Sequence, residues 1–369
     1  MEALIDLFLQ EKEIGKLKEE LQAGKDRQLI AGLSGGAKSI FFKALQQTLE
    51  KPILIISPNL LQAQRTYEDL VKMLGESFVH LYPAEELIAA DFSVSSYELR
   101  AQRIDTLDHM ARVGKGIYIT PIAGMKKWLP TKEQWLSSAL FTKVGETIDI
   151  DEWLVQLVAM GYTRQDMVTA PGEFAVRGGI LDLYPLYMDD PIRIELFDTD
   201  VDSIRTFSAD DQRSTGNLED IPILPAAEFV WSAQSLRDIA EKLEQALGNS
   251  LKKMKDVNAK EQMTLHITGD IGLMRDGIVP ENMLKYASFA SESASLASYF
   301  PSEGIVSFDE IGRIVEVVSS LESEEKEWII TLLEDGKIVH DAKISFSFDE
   351  VSAMLEQRRI YLSLFVRSI

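Results

Sequence analysis

Two groups of residues in this sequence have the types and spacing to do chemistry. The first is Gly32-Leu33-Ser34-Gly35-Gly36-Ala37-Lys38-Ser39, in register with the phosphate-loop pattern G-x-x-x-x-G-K-[ST]. In such a loop the glycines let backbone N–H groups wrap phosphates, the lysine reaches the terminal phosphates, and the hydroxyl holds magnesium. Gly32, Lys38 and Ser39 match, and Gly35 and Gly36 supply bare backbone between them. Ala37 stands where the last glycine belongs, and its methyl group crowds an oxyanion and restricts the backbone. The strand-like run Ile305-Val306-Ser307-Phe308 ends in Asp309 and Glu310, the kind of acidic pair that orients magnesium and water in a nucleotide site. Such a strand end is commonplace alone; joined with the loop, it points to one nucleotide-binding core. No second core and no arginine finger can be recognised. The expectation is an inherited nucleotide fold without turnover, with no catalytic residue, no metal site and no cofactor required.

The second group lies between Glu146 and Asp220, where seventeen acidic residues face five basic ones, all arginine: Arg164, Arg177, Arg193, Arg205 and Arg213. Arginine's planar fork pairs bidentately with carboxylates and is over-represented at interface hot spots. Strand alternation puts Ile192, Ile194 and Leu196 on one face and Arg193, Glu195 and Phe197 on the other. The same rule sets Phe174 and Val176 against Ala175 and Arg177. An aromatic ring on an otherwise charged sheet face is the anatomy of a protein-binding patch. Arg205, on a neighbouring strand, is the weaker candidate. The alternative left open by periodicity is that Phe197 packs on the helix at 151–160 and the arginines only pair with local acids.

Composition limits the remaining possibilities. The chain has 369 residues and a formal net charge of −21. Non-specific DNA affinity comes largely from Lys and Arg neutralising phosphates, so this surface as a whole repels nucleic acid. The absence of cysteine excludes disulfides, thiolate metal sites and thiol nucleophiles. The four histidines (His80, His109, His266, His340) are scattered along the sequence, which argues against a histidine metal cluster. No apolar run is long enough to span a membrane, and the N-terminus lacks a secretory signal, so a cytoplasmic protein is expected.

The elements that must position these residues follow from periodicity. Residues 2–22 read as an amphipathic helix. Short apolar strands at 28–32, 53–56, 78–81 and 117–120 alternate with helices from Lys38, at 60–74 and at 95–112, the grammar of a parallel sheet covered on both faces. After Pro130 a helix at 151–160 precedes strands at 172–177, 180–184, 192–197 and 203–208, an antiparallel meander. A charged helical stretch at 232–260, a solvated acidic turn at 322–327, and strands at 304–308 and 359–365 complete the pattern. Tyr118, Trp128, Trp153 and Trp231 read as core or junction packing. The expected fold class is α/β: a degenerate RecA-like P-loop domain with a parallel sheet, an inserted small α+β domain and a further mixed subdomain. The expected boundaries are 1–130, 131–222, 223–290, and a return to the first core at 291–369.

The run Gly172-Glu173-Phe174-Ala175-Val176-Arg177-Gly178-Gly179-Ile180-Leu181-Asp182-Leu183-Tyr184-Pro185 resembles the N-terminal portion of bacterial transcription-repair coupling factors. That portion is itself similar to UvrB, the DNA-binding component of the excinuclease. The likeness continues through 191–198 and 202–207, and the degenerate loop, Phe308-Asp309-Glu310 and 361–365 support it. The resemblance implies a RecA-like domain 1A split by inserted domains 2 and 1B. It also implies that Arg177, Arg193 and Phe197 contact the excinuclease component UvrA, bringing repair to a stalled RNA polymerase. In that family RNA polymerase and DNA are engaged by further domains, and ATP with magnesium by motor domains whose motifs this sequence lacks. Two departures from UvrB stand out. The stretch at 81–92, where UvrB has an aromatic DNA-clamping hairpin, is short and carries no basic residue. A histidine is missing after Asp309-Glu310. Two other readings remain: a P-loop ATPase or helicase domain with residual ATP binding, and a DNA-damage-binding module.

Overall fold

A computed structural model describes residues 12–85 and 96–364. Of the expected first helix, the described part is α1 (Lys12–Gln22); residues 2–11 lie outside the described residues. There follow β1 (Arg27–Ala31), α2 (Gly36–Leu49), β2 (Ile53–Ser57), α3 (Leu60–Leu74), β3 (Val79–Leu81), α4 (Tyr97–Arg112) and β4 (Ile117–Pro121). β2 and β4 are buried along their whole length, as expected of strands covered on both faces. Side-chain caps fix where the helices begin: the Asn59 side chain accepts from Gln62 N and that of Ser96 from Leu99 N. Two short helices, α5 (Ile122–Lys126) and α6 (Lys132–Ser138), lead out of this unit, the second opened by a Thr131/Gln134 capping box.

The chain then builds β5 (Leu140–Lys143), α7 (Ile150–Ala159), β6 (Thr163–Arg164), β7 (Glu173–Arg177), β8 (Ile180–Leu183), β9 (Ile192–Phe197), β10 (Asp200–Phe207), β11 (Ser214–Leu218) and β12 (Asp220–Ile223). Six of these form one sheet in the order β11-β10-β9-β8-β7-β6. Its pairings are antiparallel except β6 with β7. The meander is therefore present, with a short parallel edge. β5 and β12, which periodicity did not single out, pair antiparallel as a separate ribbon.

Beyond it come α8 (Ala233–Lys253), α9 (Val257–Arg275), the short α10 (Leu296–Tyr299), β13 (Ile305–Phe308), α11 (Ile311–Glu334), α12 (Phe348–Met354) and β14 (Arg358–Ser363). The charged stretch at 232–260 is helical as expected, and it is divided between two helices, because the chain leaves helical geometry at Met254 and restarts at Asp256, whose side chain caps Ala259 N. One expectation is corrected here. Residues 322–327 are not a turn but lie within α11, where Glu322 and Glu325 flank the buried Lys126 ammonium at 3.5 and 3.7 Å.

β13 and β14 return to the first sheet, whose order is β1-β14-β13-β2-β4-β3 with every pairing parallel. One sheet face packs Phe42, Ile55, Ile119 and Leu362. The opposite face joins Leu54, Ile56 and Tyr118 to a continuous core that reaches Trp153, Leu181, Ile192 and Ile194 of the antiparallel region. A second core lies between α8 and α9, around Leu243, Ile267 and Tyr286. The expected core aromatics Tyr118, Trp153 and Trp231 are buried, and Trp128 packs on Phe346 with ring centroids 3.9 Å apart.

Candidate functional site

The phosphate-loop residues meet the acidic pair where the parallel strands end. Gly32 follows β1 with φ 89°, and its N–H donates to Ser363 O at 3.0 Å, tying the loop to the last strand. Gly35 has φ 52° and precedes the first helical residue, Gly36. The Lys38 ammonium donates to Asp309 Oδ1 at 2.6 Å and to Glu310 Oε1 at 2.7 Å. Gln62 Nε2 reaches Asp309 Oδ2 at 2.7 Å, and the other Glu310 oxygen accepts from Leu364 N at 3.1 Å. Burial opposes the lysine's charge, but its hydrogen bonds to the two carboxylates outweigh this and raise its pKa. Ser39 is buried, with its hydroxyl 3.5 Å from Asp69.

The loop and the acidic pair are thus brought together, and Gly35, Lys38, Ser39 and Asp309 line an open cleft of about 310 Å³. Their donors are turned inward. Ala37 N donates to Ser34 O and Lys38 N to Gly35 O, so two amides that would wrap a phosphate are satisfied within the loop. The lysine is held by the protein's own carboxylates. In this arrangement the lysine and both amides are engaged within the protein. Among the described residues no group of three or more His, Cys, Asp or Glu could hold a metal ion.

The second group lies on the outer face of the antiparallel sheet. Ile192 and Ile194 are fully buried, whereas Phe197 is 80% exposed and does not pack on α7. The ring stands at the tip of the β9–β10 hairpin, where Asp198 turns the chain with φ 57° and Phe197 pairs with Asp200. Cross-strand register places Asp182, Arg193 and Arg205 in one row. Two arginines directly opposite would repel. Arg193 is met by Asp182, with Nε–Oδ1 2.6 Å and Nη2–Oδ2 2.9 Å, and Arg205 by Glu195. Arg177 Nη2 donates to the same Asp182 at 2.8 Å.

Half of the local-pairing alternative is therefore realised: the three candidate arginines pair with acids while the phenylalanine stays free. Nor is this face uniformly polar. Ala175 is buried, forming with Val168 and Phe207 a small apolar cluster, and the Arg193 guanidinium lies 4.5 Å from the Phe207 ring centroid. Sequence reasoning missed Asp182. Its signal was an acid set between Leu181 and Leu183 in an otherwise apolar strand.

Two further clusters of titratable groups lie in the parallel-sheet region. His80 and His109, 29 positions apart, stack with ring centroids 3.7 Å apart, and His109 Nδ1 is 2.9 Å from the Tyr118 hydroxyl. Glu228 accepts from Arg103 Nε at 3.0 Å and from the Tyr82 hydroxyl. Tyr82 belongs to the stretch at 81–92; from Glu86 onward that stretch lies outside the described residues. No helix among the described residues is long and apolar enough to cross a membrane.

Residues 140–229, which contain this antiparallel sheet, match the family model described as the UvrB interaction domain. Over 99% of its length it is 42% identical to the transcription-repair-coupling factor of Bacillus subtilis (strain 168), covering 31% of that protein. It is 33% identical over 94% of its length to the factor of Staphylococcus aureus (strain bovine RF122 / ET3-1), covering 30% of it. The chain spans about a third of the length of these relatives and corresponds to their N-terminal region.

Proposed function

We propose that this chain is a recruitment module of transcription-coupled repair, binding the excinuclease component UvrA through the outer face of its antiparallel sheet. The observation that carries the reading is Phe197: a large ring, 80% exposed, on the same strand as Arg193, within the segment that matches the UvrB interaction domain. An apolar anchor with a charged rim is what interface hot spots are made of. In the whole protein the module would bring repair to a stalled RNA polymerase, in the bacterial cytoplasm, with further domains translocating on DNA. Within the chain we assign 1–130 and 291–369 to one degenerate RecA-like domain, 131–222 to the partner-binding domain and 223–290 to an inserted subdomain. The parallel sheet and the strand-end site around Lys38 support the first assignment. We assign no ATP or magnesium to this chain, because Lys38 is engaged by Asp309 and Glu310.

Immobilised UvrA tests the proposal. Wild-type chain is expected to be retained, and Phe197→Ala or Arg193→Ala to weaken retention by roughly tenfold or more. Because Phe197 is mostly solvent-facing, its truncation is expected to change folding stability by no more than about 0.5 kcal/mol. Undiminished binding by both variants would overturn the assignment of this face.

A further inference from the structure

We propose that Asp182 is the positioning residue of the partner-binding face, holding the Arg193 and Arg177 guanidinium groups oriented before any partner arrives. The inference rests on the recruitment reading of that face, and it adds a residue that touches no partner. The Asp182 side chain is 1% exposed. On β8 its neighbours Leu181 and Leu183 face the core, while it faces the arginine side. Burying a carboxylate is costly unless its charge is matched, and an apolar residue would serve the strand's packing better. What the carboxylate does here is collect three N–H donors: Arg193 Nε, Arg193 Nη2 and Arg177 Nη2.

The consequence differs for the two arginines. Arg193 is held along one whole edge of its fork, is stacked on Phe207, and has a further Nη2 contact to Gln212 Oε1 at 3.3 Å. Its Nη1 group makes none of the described hydrogen bonds, and a planar guanidinium held along one edge directs that group away from Asp182. Arg177 gives Asp182 one bond and remains half exposed, at 51%. Side-chain freedom that an arginine would otherwise lose on binding is thus removed when the sheet folds.

Charge balance fits the same role. Asp182 and Glu195, set against Arg177, Arg193 and Arg205, leave this cluster of five side chains with a single positive charge. One oriented cation suits a partner carboxylate beside an apolar socket. It is a poor match for a nucleic-acid backbone, which rewards many unpaired cations.

The test is Asp182→Asn, which keeps the side chain's shape, removes its charge and leaves one acceptor oxygen. Far-UV circular dichroism is expected to be unchanged. Affinity for UvrA is expected to fall about tenfold or more, the scale of losing a charge-assisted bidentate pair. In D182N/R193A the two losses are expected not to add, since both remove the same oriented group. Wild-type affinity in D182N alongside weakened binding by R193A, or fully additive losses, would overturn the proposal. Arginine side-chain NMR on the wild-type chain decides the positioning claim without partner or variant. A slowly exchanging Arg193 Nε–H signal is expected, in contrast to Arg213, which is 86% exposed. An Arg193 signal averaged like that of Arg213 would refute it. Failure of wild-type chain to bind would instead strike the recruitment reading, which the NMR measurement does not touch.

Discussion

Lys38 illustrates how one residue type takes a different role when its surroundings change. In a working phosphate loop the lysine's charge is reserved for a ligand; here it neutralises Asp309, whose side chain is 1% exposed, and Glu310. Removing it leaves two adjacent carboxylates without their cation. Lys38→Ala is therefore expected to destabilise the chain by about 3 kcal/mol, the scale for breaking a buried ion pair, as read by chemical denaturation. A loop lysine kept only for a ligand would give almost no stability change. The sequence made the meeting of Lys38 with the acidic pair legible, because motif spacing encodes it. That the loop's own amides close on Ser34 and Gly35 depends on loop conformation, which no motif records. Likewise alternation puts Phe197 on the charged face but leaves open whether it packs on α7, and the pairing of Arg193 with Asp182 needs the β8–β9 register.

At the scale of elements, the hairpin joining β7 to β8 turns at Gly178-Gly179, and the two glycines serve different purposes. Gly178 has φ 61° with open space around it, so its backbone conformation is what favours glycine. Gly179 has no such φ, but a Cβ there would meet Leu196 O at 2.8 Å, and its own carbonyl accepts from Leu196 N at 2.7 Å. Gly179→Ala is expected to push β9 away at the residue next to Phe197. A loss of about 1–3 kcal/mol, the usual cost of overpacking, should appear in thermal denaturation, with weakened binding in the same pull-down. Strands and helices were legible wherever the apolar period was strong, as in β2 or α3. The break between α8 and α9 was missed because charged residues continue across it, although Asp256 carries the cap signal. The acidic run at 322–327 concealed a helix because the helix's buried apolar residues, Ile314, Val318 and Leu321, all lie before it.

For the whole molecule, acid sensitivity follows in part from two of the groups that folding perturbs. Burial first, and then the neighbouring His109, lower the His80 pKa from 6.5 to about 4. The unfolded chain takes up that proton near pH 6.5 and the folded chain only near 4, so stability is full above 6.5 and declines as pH falls between them. Burial would raise the Glu228 carboxyl, but Arg103 and Lys127, with hydrogen bonds from Tyr82 and Arg103, bring it from 4.5 down to about 2. Its contribution is complete above pH 4.5 and is lost as pH falls toward 2. Denaturation midpoints measured from pH 7 to 2 are expected to fall in two legs, and His80→Phe to flatten the upper one. Neither group was visible in the sequence as a pH determinant. The histidines looked scattered because β3 and α4, which bring His80 and His109 together, are separated by a stretch of chain.

The strand order carries a consequence for how this chain is made. β14, residues 358–363, sits inside the parallel sheet between β1 and β13. β1 has no other partner among the described strands of that sheet, so a nascent chain emerging from the ribosome cannot complete the parallel sheet until nearly all of these residues have been translated. The antiparallel sheet is built from one uninterrupted segment, residues 163–218, and all its pairings are available much earlier. Long-range parallel pairing is also intrinsically the slower process. During synthesis, every strand that pairs to form the sheet bearing Phe197 is thus available while the parallel sheet still lacks its sixth strand.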